Sequence, residues 1–198
     1  MNGFPDKLLN EFELQVGLPE NFCVQLIHEH SWSLVIKLHA VFEAALTQLL
    51  EAELHRPELV EFVSSMNMGG QFGKLNLARS LNVLEDRHLR FLQTLGTMRN
   101  AAIHNIQNVN FQFQIYLETL PSQRRSEVIK AVRGAAFYRN TEGHEAFLDE
   151  LTSGNMKTAV FTAGITVLAE ISKKAKIAQE MARINVAATD EALAQREK

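Results

Sequence analysis

The chain has 198 residues, 46% of them hydrophobic, 22% charged and 8% aromatic, with four Pro and ten Gly. That length supports one well-buried core, and the scarcity of chain breakers excludes a collagen, a low-complexity linker and a many-turned β-sandwich. The net charge of −3 is unevenly spread: residues 1–63 carry three basic and ten acidic side chains, residues 64–139 ten and four, and residues 140–198 seven and nine. A basic middle third can focus a field on phosphate even though the whole chain is acidic.

In chain order, residues 1–29 read as an acidic N-terminal segment without the charged and apolar regions of a secretory signal. Its Cys23 is the only cysteine, which rules out an internal disulfide and fits a reducing, cytoplasmic setting. A single helical domain is expected over residues 30–176. It opens with Val35, Leu38, Phe42, Leu46, Leu49 and Leu50, whose spacing of three and four predicts a long amphipathic helix from Trp32 to Leu54. Pro57 starts a shorter helix that should stop at Gly69-Gly70. Gly73 to Leu84 reads as another helix. Asp86 is an N-cap candidate for the next, Arg87 to His104, where Phe91, Leu95, Met98 and Ala102 form one narrow apolar stripe.

Beyond it the pattern changes. Val109, Phe111, Phe113, Ile115 and Leu117 alternate with polar residues and Tyr116, as in a strand, but no partner strand is evident. An extended edge segment near 108–117 and a poorly patterned helix both stay open there. Pro121 restarts a helix to about Phe137, Tyr138 to Gly143 reads as a loop, and Glu145 to Leu151 as a short helix. The last helix runs from about Asn155 to Ala188, with residues 177–198 a charged, Ala-rich helical tail. Its apolar stretch, Ala159 to Ile171, falls short of the ~20 residues of a membrane span, so a soluble protein with no membrane partner is expected. The fold class is therefore all-α, a helical bundle with additional C-terminal helices.

Several chemical signals fail on inspection. Gly69-Gly70-Gln71-Phe72-Gly73-Lys74 lacks the glycine and hydroxyl positions of a phosphate-binding loop, where Met68 and Leu75 stand. His28 and His30 point to different helix faces with no third ligand nearby, so no metal site is expected. GxSxG is absent and Cys23 has no evident activating base.

Arg99-Asn100-Ala101-Ala102-Ile103-His104 remains. The spacing alone carries little weight, because Arg139-Asn140-Thr141-Glu142-Gly143-His144 repeats it in a turn-like sequence. Helix geometry favours the first. Asn100 and His104 fall about 40° apart on one face, while Arg99 is about 140° from His104, at the margin of the core stripe. His104 lies opposite that stripe, available to a second copy or to a polyanion.

With Phe91-Leu92, Leu95 and Met98 ahead of Arg99-Asn100 and His104, the Gly73-Lys74-Leu75 helix before them and the long Glu43-bearing helix before that, the chain resembles the HEPN superfamily over residues 30 to 107. That superfamily is built on a four- to five-helix bundle. The same motif followed by a Phe-containing stretch also resembles its mannitol-operon-repressor-like branch. Ile106 stands where one toxin branch carries a Tyr, so regulation through that Tyr is not implied.

The resemblance implies a metal-independent endoribonuclease, acting as a homodimer whose two motifs face one cleft, in a toxin, antiviral-defence or stress setting under an antitoxin or regulatory protein. The implied catalytic residues are Arg99, Asn100 and His104, with no cofactor. Arg79, Arg87 and Arg90, in the basic third, are candidate RNA contacts. Ile103 and Ile106 are candidates for the dimer interface. The alternative is a non-catalytic dimeric regulatory module, in which the Arg–His pair would be buried or capped by carboxylates such as Glu43. A third expectation is an adaptor whose C-terminal helix docks in a partner groove.

Overall fold

Leu34, Val35, Leu38, Phe42, Leu46 and Leu49 are fully buried, and their periodicity makes α3 (Ser31–Leu54) the central helix. It ends where His55 takes a left-handed conformation (φ 49°, ψ 38°) and donates its N–H to the Glu51 carbonyl. Pro57 then prevents continuation and opens a 3₁₀ turn, Pro57–Leu59, leading into α4 (Val60–Ser65). The computed structural model describes residues 4–103, 110–136 and 154–196.

The remaining helices are α1 (Phe4–Gln15), α2 (Phe22–Gln25), α5 (Lys74–Ser80), α6 (Asp86–Ile103), α7 (Phe113–Thr119), α8 (Ser122–Ala136) and α9 (Met156–Arg196). Helix α3 packs on α6, α6 on α8, α8 on α9, and α9 back on α3, closing a four-helix ring. Its shared core holds Phe42, Phe91, Leu92, Leu95, Val132 and Leu168. The rings of Phe42 and Phe91 meet edge to face, 6.0 Å apart. Truncating a buried leucine here, such as Leu92→Ala, removes transfer energy and leaves a cavity, a loss of about 2–5 kcal/mol. Gly164 lets α9 approach α3, since a Cβ there would lie 2.8 Å from Leu38 Cδ2.

The all-α class holds, with no strand among the described residues. Of the two alternatives left open for the period-two segment, the structure shows the helix over Phe113–Thr119. Val109 lies outside the described residues, Gln112 is extended (φ −128°, ψ 134°), and Phe113 to Thr119 is helical. The physical reason is that Phe113 and Leu117 are also an i, i+4 pair. Both are buried, and with no second strand among the described residues to pair with, the segment satisfies its backbone within a helix. Phe111 meets Phe113 edge to face at 5.4 Å and Tyr116 at a tilt at 5.6 Å. The expected loop at Tyr138 to Gly143 and helix at Glu145 to Leu151 fall outside the described residues.

The acidic N-terminal segment is part of the core. Leu9 and Phe12 of α1 are buried, as are Cys23 and Leu26, and α1 packs on α9 with Lys176 bridging to Glu11 at 2.7 Å. At the other end α9 runs unbroken to Arg196, with Ala175 and Ala178 buried and Ile177, Met181 and Ile184 exposed. Among the described residues α3 is the one helix long and apolar enough to cross a membrane, by length and composition alone, and half of its apolar window is buried in the bundle.

Candidate functional site

Helix α6 begins at Asp86, which is its first helical residue rather than a cap preceding it. Its carboxylate complements the helix dipole, and the Glu85 carbonyl accepts the first bonds from His88 and Leu89. The predicted stripe of Phe91, Leu95, Met98 and Ala102 is buried, together with His88, Leu89 and Leu92. Its orientation fixes what the helix shows to solvent: Arg99 is half-buried at the margin and Asn100 is exposed. The Arg99 guanidinium donates to Asn100 Oδ1 at 3.2 Å. Ile103 is partly exposed beside them. His104 and Ile106 lie outside the described residues, as do Arg139 and His144.

Arg99 and Asn100 open into a pocket of about 520 Å³. Its far wall is α3, through His39 and Glu43, and its rim is the Asn67–Gly70 loop. That loop is held by backbone bonds from Lys74 to Asn67 (2.9 Å), Leu75 to Met68 (3.0 Å) and Gly73 to Gly70 (3.2 Å). His39 Nδ1 lies 3.7 Å from Glu43 Oε2, one turn along α3. Burial pushes the His39 pKa down, and the Arg99 charge adds to this while Glu43 opposes it. The imidazole is therefore neutral near pH 7. Arg99 makes no carboxylate pair within 4.0 Å among the described residues. An arginine, an amide, a neutral imidazole and a carboxylate around one open pocket can bind a phosphate and exchange a proton with a group beside it.

Arg87 and Arg90 fall elsewhere on α6. They line a second cleft, of about 390 Å³, with Arg124 and Lys130 of α8. Gln93 and Thr97 line both cavities, so the two lie side by side along α6. Arg79 lines neither. It is exposed on α5, bonded to Asn76 Oδ1 at 2.9 Å. The sequence reading thus missed His39, Arg124 and Lys130. His39 and Glu43 form an i, i+4 polar pair on an otherwise apolar helix, a signal that the sequence does carry. Arg124 and Lys130 join Arg87 only through helix packing, which leaves no local trace.

Among the described residues no three His, Cys, Asp or Glu side chains converge as metal ligands, and His28 and Glu29 are separated in use: Glu29 pairs with Lys37. Comparison with known protein families, with curated proteins and with solved structures returns no match for this chain.

Proposed function

We propose that the protein is a HEPN-like, metal-independent endoribonuclease, active as a homodimer, that cleaves RNA to 2′,3′-cyclic phosphate and 5′-hydroxyl ends. The observation that carries this reading is Arg99, half-buried, unpaired with any carboxylate among the described residues, and opening with Asn100 into a solvent-reachable pocket. A structural arginine would be buried against a carboxylate.

In the reaction, the ribose 2′-oxygen attacks the adjacent phosphorus and the bond to the 5′-oxygen breaks. The proton leaves the 2′-hydroxyl for a general base, and the 5′-oxygen takes one as it departs. His104, five positions after Arg99, supplies the acid–base group, since imidazole is the side chain whose ordinary titration lies closest to neutral pH. Arg99 holds the phosphorane oxygens through two N–H donors, and Asn100 orients Arg99 and the phosphate. A cytoplasmic setting in toxin, antiviral-defence or stress biology, under an antitoxin or regulatory protein, fits such a dangerous activity.

A second reading has its own observation. Glu43 faces the same pocket as Arg99, and its negative charge disfavours a phosphate there. That suits a non-catalytic dimeric module resembling the mannitol operon repressor, acting in transcription regulation. The test is cleavage of a mixed-sequence single-stranded RNA in excess EDTA by the parent protein and by Arg99→Ala, His104→Ala and His144→Ala. Cutting that is lost in the first two variants and kept in the third, with a cyclic-phosphate product, is the expected result. Equal cutting by all four, or no cutting by a dimer at high concentration, transfers the weight to the regulatory module.

A further inference from the structure

We infer that the cleft between α6 and α8 is a track for the phosphodiester backbone of single-stranded RNA, leading into the Arg99 pocket. The identity of the polymer rests on the nuclease reading; the surface stands on its own geometry. On α6 the cleft is lined by Arg87, Arg90, Thr94 and Thr97, and on α8 by Arg124, Glu127, Ala131 and Gly134. Both sets follow the same three- and four-residue steps, so each helix turns one continuous face to the cleft.

The helices run antiparallel. A Cβ on Gly134 would lie 3.9 Å from Arg87 Cβ, so the end of α8 meets the start of α6. Arg124, ten residues back along α8 in the same cleft, then lies towards Thr97 and the Arg99 pocket. Ten residues at ~1.5 Å make a track of about 15 Å, the length of roughly four stacked nucleotides at ~3.4 Å each.

Charge complementarity selects the occupant. Arg87, Arg90, Arg124 and Lys130 face a single carboxylate in the cleft, Glu127. Arg87 pairs with Glu85 at 2.9 Å, Arg90 with Asp86 at 3.9 Å and Arg124 with Glu127 at 2.9 Å. The Arg90 and Arg124 pairs are exposed, hold about 0–1 kcal/mol, and give way readily to phosphate oxygens. Lys130 has no carboxylate within 4.0 Å among the described residues. Gln93, Thr94 and Thr97 add the neutral donors that contact phosphate and sugar without reading sequence. Phe72, two positions past the pocket-lining Gly70, is 81% exposed, and an exposed ring is a stacking partner that an unpaired base can use and a duplex cannot.

The experiment measures binding of a fluorescein-labelled, 2′-O-methylated 12-nucleotide RNA, which cannot be cut by its own 2′-oxygen, by anisotropy across a salt series in EDTA. Arg124→Glu with Lys130→Glu, both at exposed positions, should weaken binding at low salt by about tenfold or more. The charge-neutral pair Arg124→Gln with Lys130→Gln should lower the slope of log K against log salt by about 1.4, two phosphate contacts at ~0.7 each. Arg79→Glu, outside the cleft, should leave both unchanged. An equal loss in Arg79→Glu, no loss in the cleft variants, no binding by the parent protein, or tighter binding of duplex DNA or an acidic peptide each overturns the track. The two readings separate cleanly. Cleft-dependent binding without any cleavage of unmodified RNA sinks the nuclease alone, while cleavage indifferent to the cleft variants sinks the track alone.

Discussion

The Trp32 indole donates its Nε1–H to the Ala102 carbonyl at 3.1 Å, tying the first turn of α3 to the last turn of α6 across 70 residues of sequence. The bond anchors α6 to α3 three residues beyond Arg99 and so helps to hold the backbone that carries the motif. Trp32→Phe keeps the aromatic character and removes the donor. A loss of about 1 kcal/mol is expected in urea unfolding followed by circular dichroism. Faster amide exchange confined to the last turn of α6 should accompany it. Unchanged exchange there would show that the bond does not hold the turn.

Glu13 does comparable work at the other end of the fold. Its carboxylate, 1% exposed, accepts the Asn21 N–H at 2.8 Å and the Cys23 N–H at 2.7 Å. Glu13→Ala leaves two backbone donors without their acceptor and should cost about 2–3 kcal/mol in urea unfolding. Burial, reinforced by Glu13, also pushes the Cys23 thiol up to about 12. Native protein should therefore react with a disulfide reagent at pH 8 only as it opens, in step with unfolding. Rapid stoichiometric labelling of native protein would contradict this.

What the sequence makes legible follows from where the information lies. The stripes of α3 and α6 are local, so the residue pattern by itself yields their helices, their buried faces and the half-exposed placement of Arg99. The segment containing Phe113 and Leu117 obeys two periods at once, and what decides between them is that the described residues hold no strand for it to pair with. Glu13 counts in the composition as one more acidic surface charge, although it is a buried acceptor. The union of Arg87 with Arg124 depends on which helices pack together, and no short-range pattern encodes that. His104, on which the proposed chemistry turns, rests on the motif alone.

The buried histidines predict the pH response. His88 is 1% exposed with no hydrogen-bond partner on Nδ1 among the described residues, and burial lowers its pKa. Arg87 and Lys174 push the same way, while Glu85 and Glu170 oppose them. His39 is lowered too, again chiefly by burial. A histidine whose folded pKa lies below the unfolded value of about 6.5 binds fewer protons in the native state, so stability is full above that pH and declines as pH falls through it. The urea midpoint should drop between pH 7.5 and pH 5.5. His88→Phe, which fills the site without a titrating group, should flatten that drop, and an unaltered pH dependence in this variant would remove His88 from the account.

Gly73 and Gly69 make a matched pair of tests beside the pocket. Gly73 precedes α5 in an extended conformation, and a Cβ there would fall on the Gly69 carbonyl, a backbone atom that cannot rotate away. Gly69 itself faces open space. Because Gly69 and Gly70 form the pocket rim, Gly73→Ala must push that rim out of place or strain the start of α5. The expected cost is about 1–3 kcal/mol, with a fall in RNA cleavage larger than the loss of folded protein explains. Gly69→Ala should leave stability close to the parent, within about 1 kcal/mol of added backbone restriction. If both substitutions are tolerated alike, the loop is free to move and does not set the shape of the Arg99 pocket.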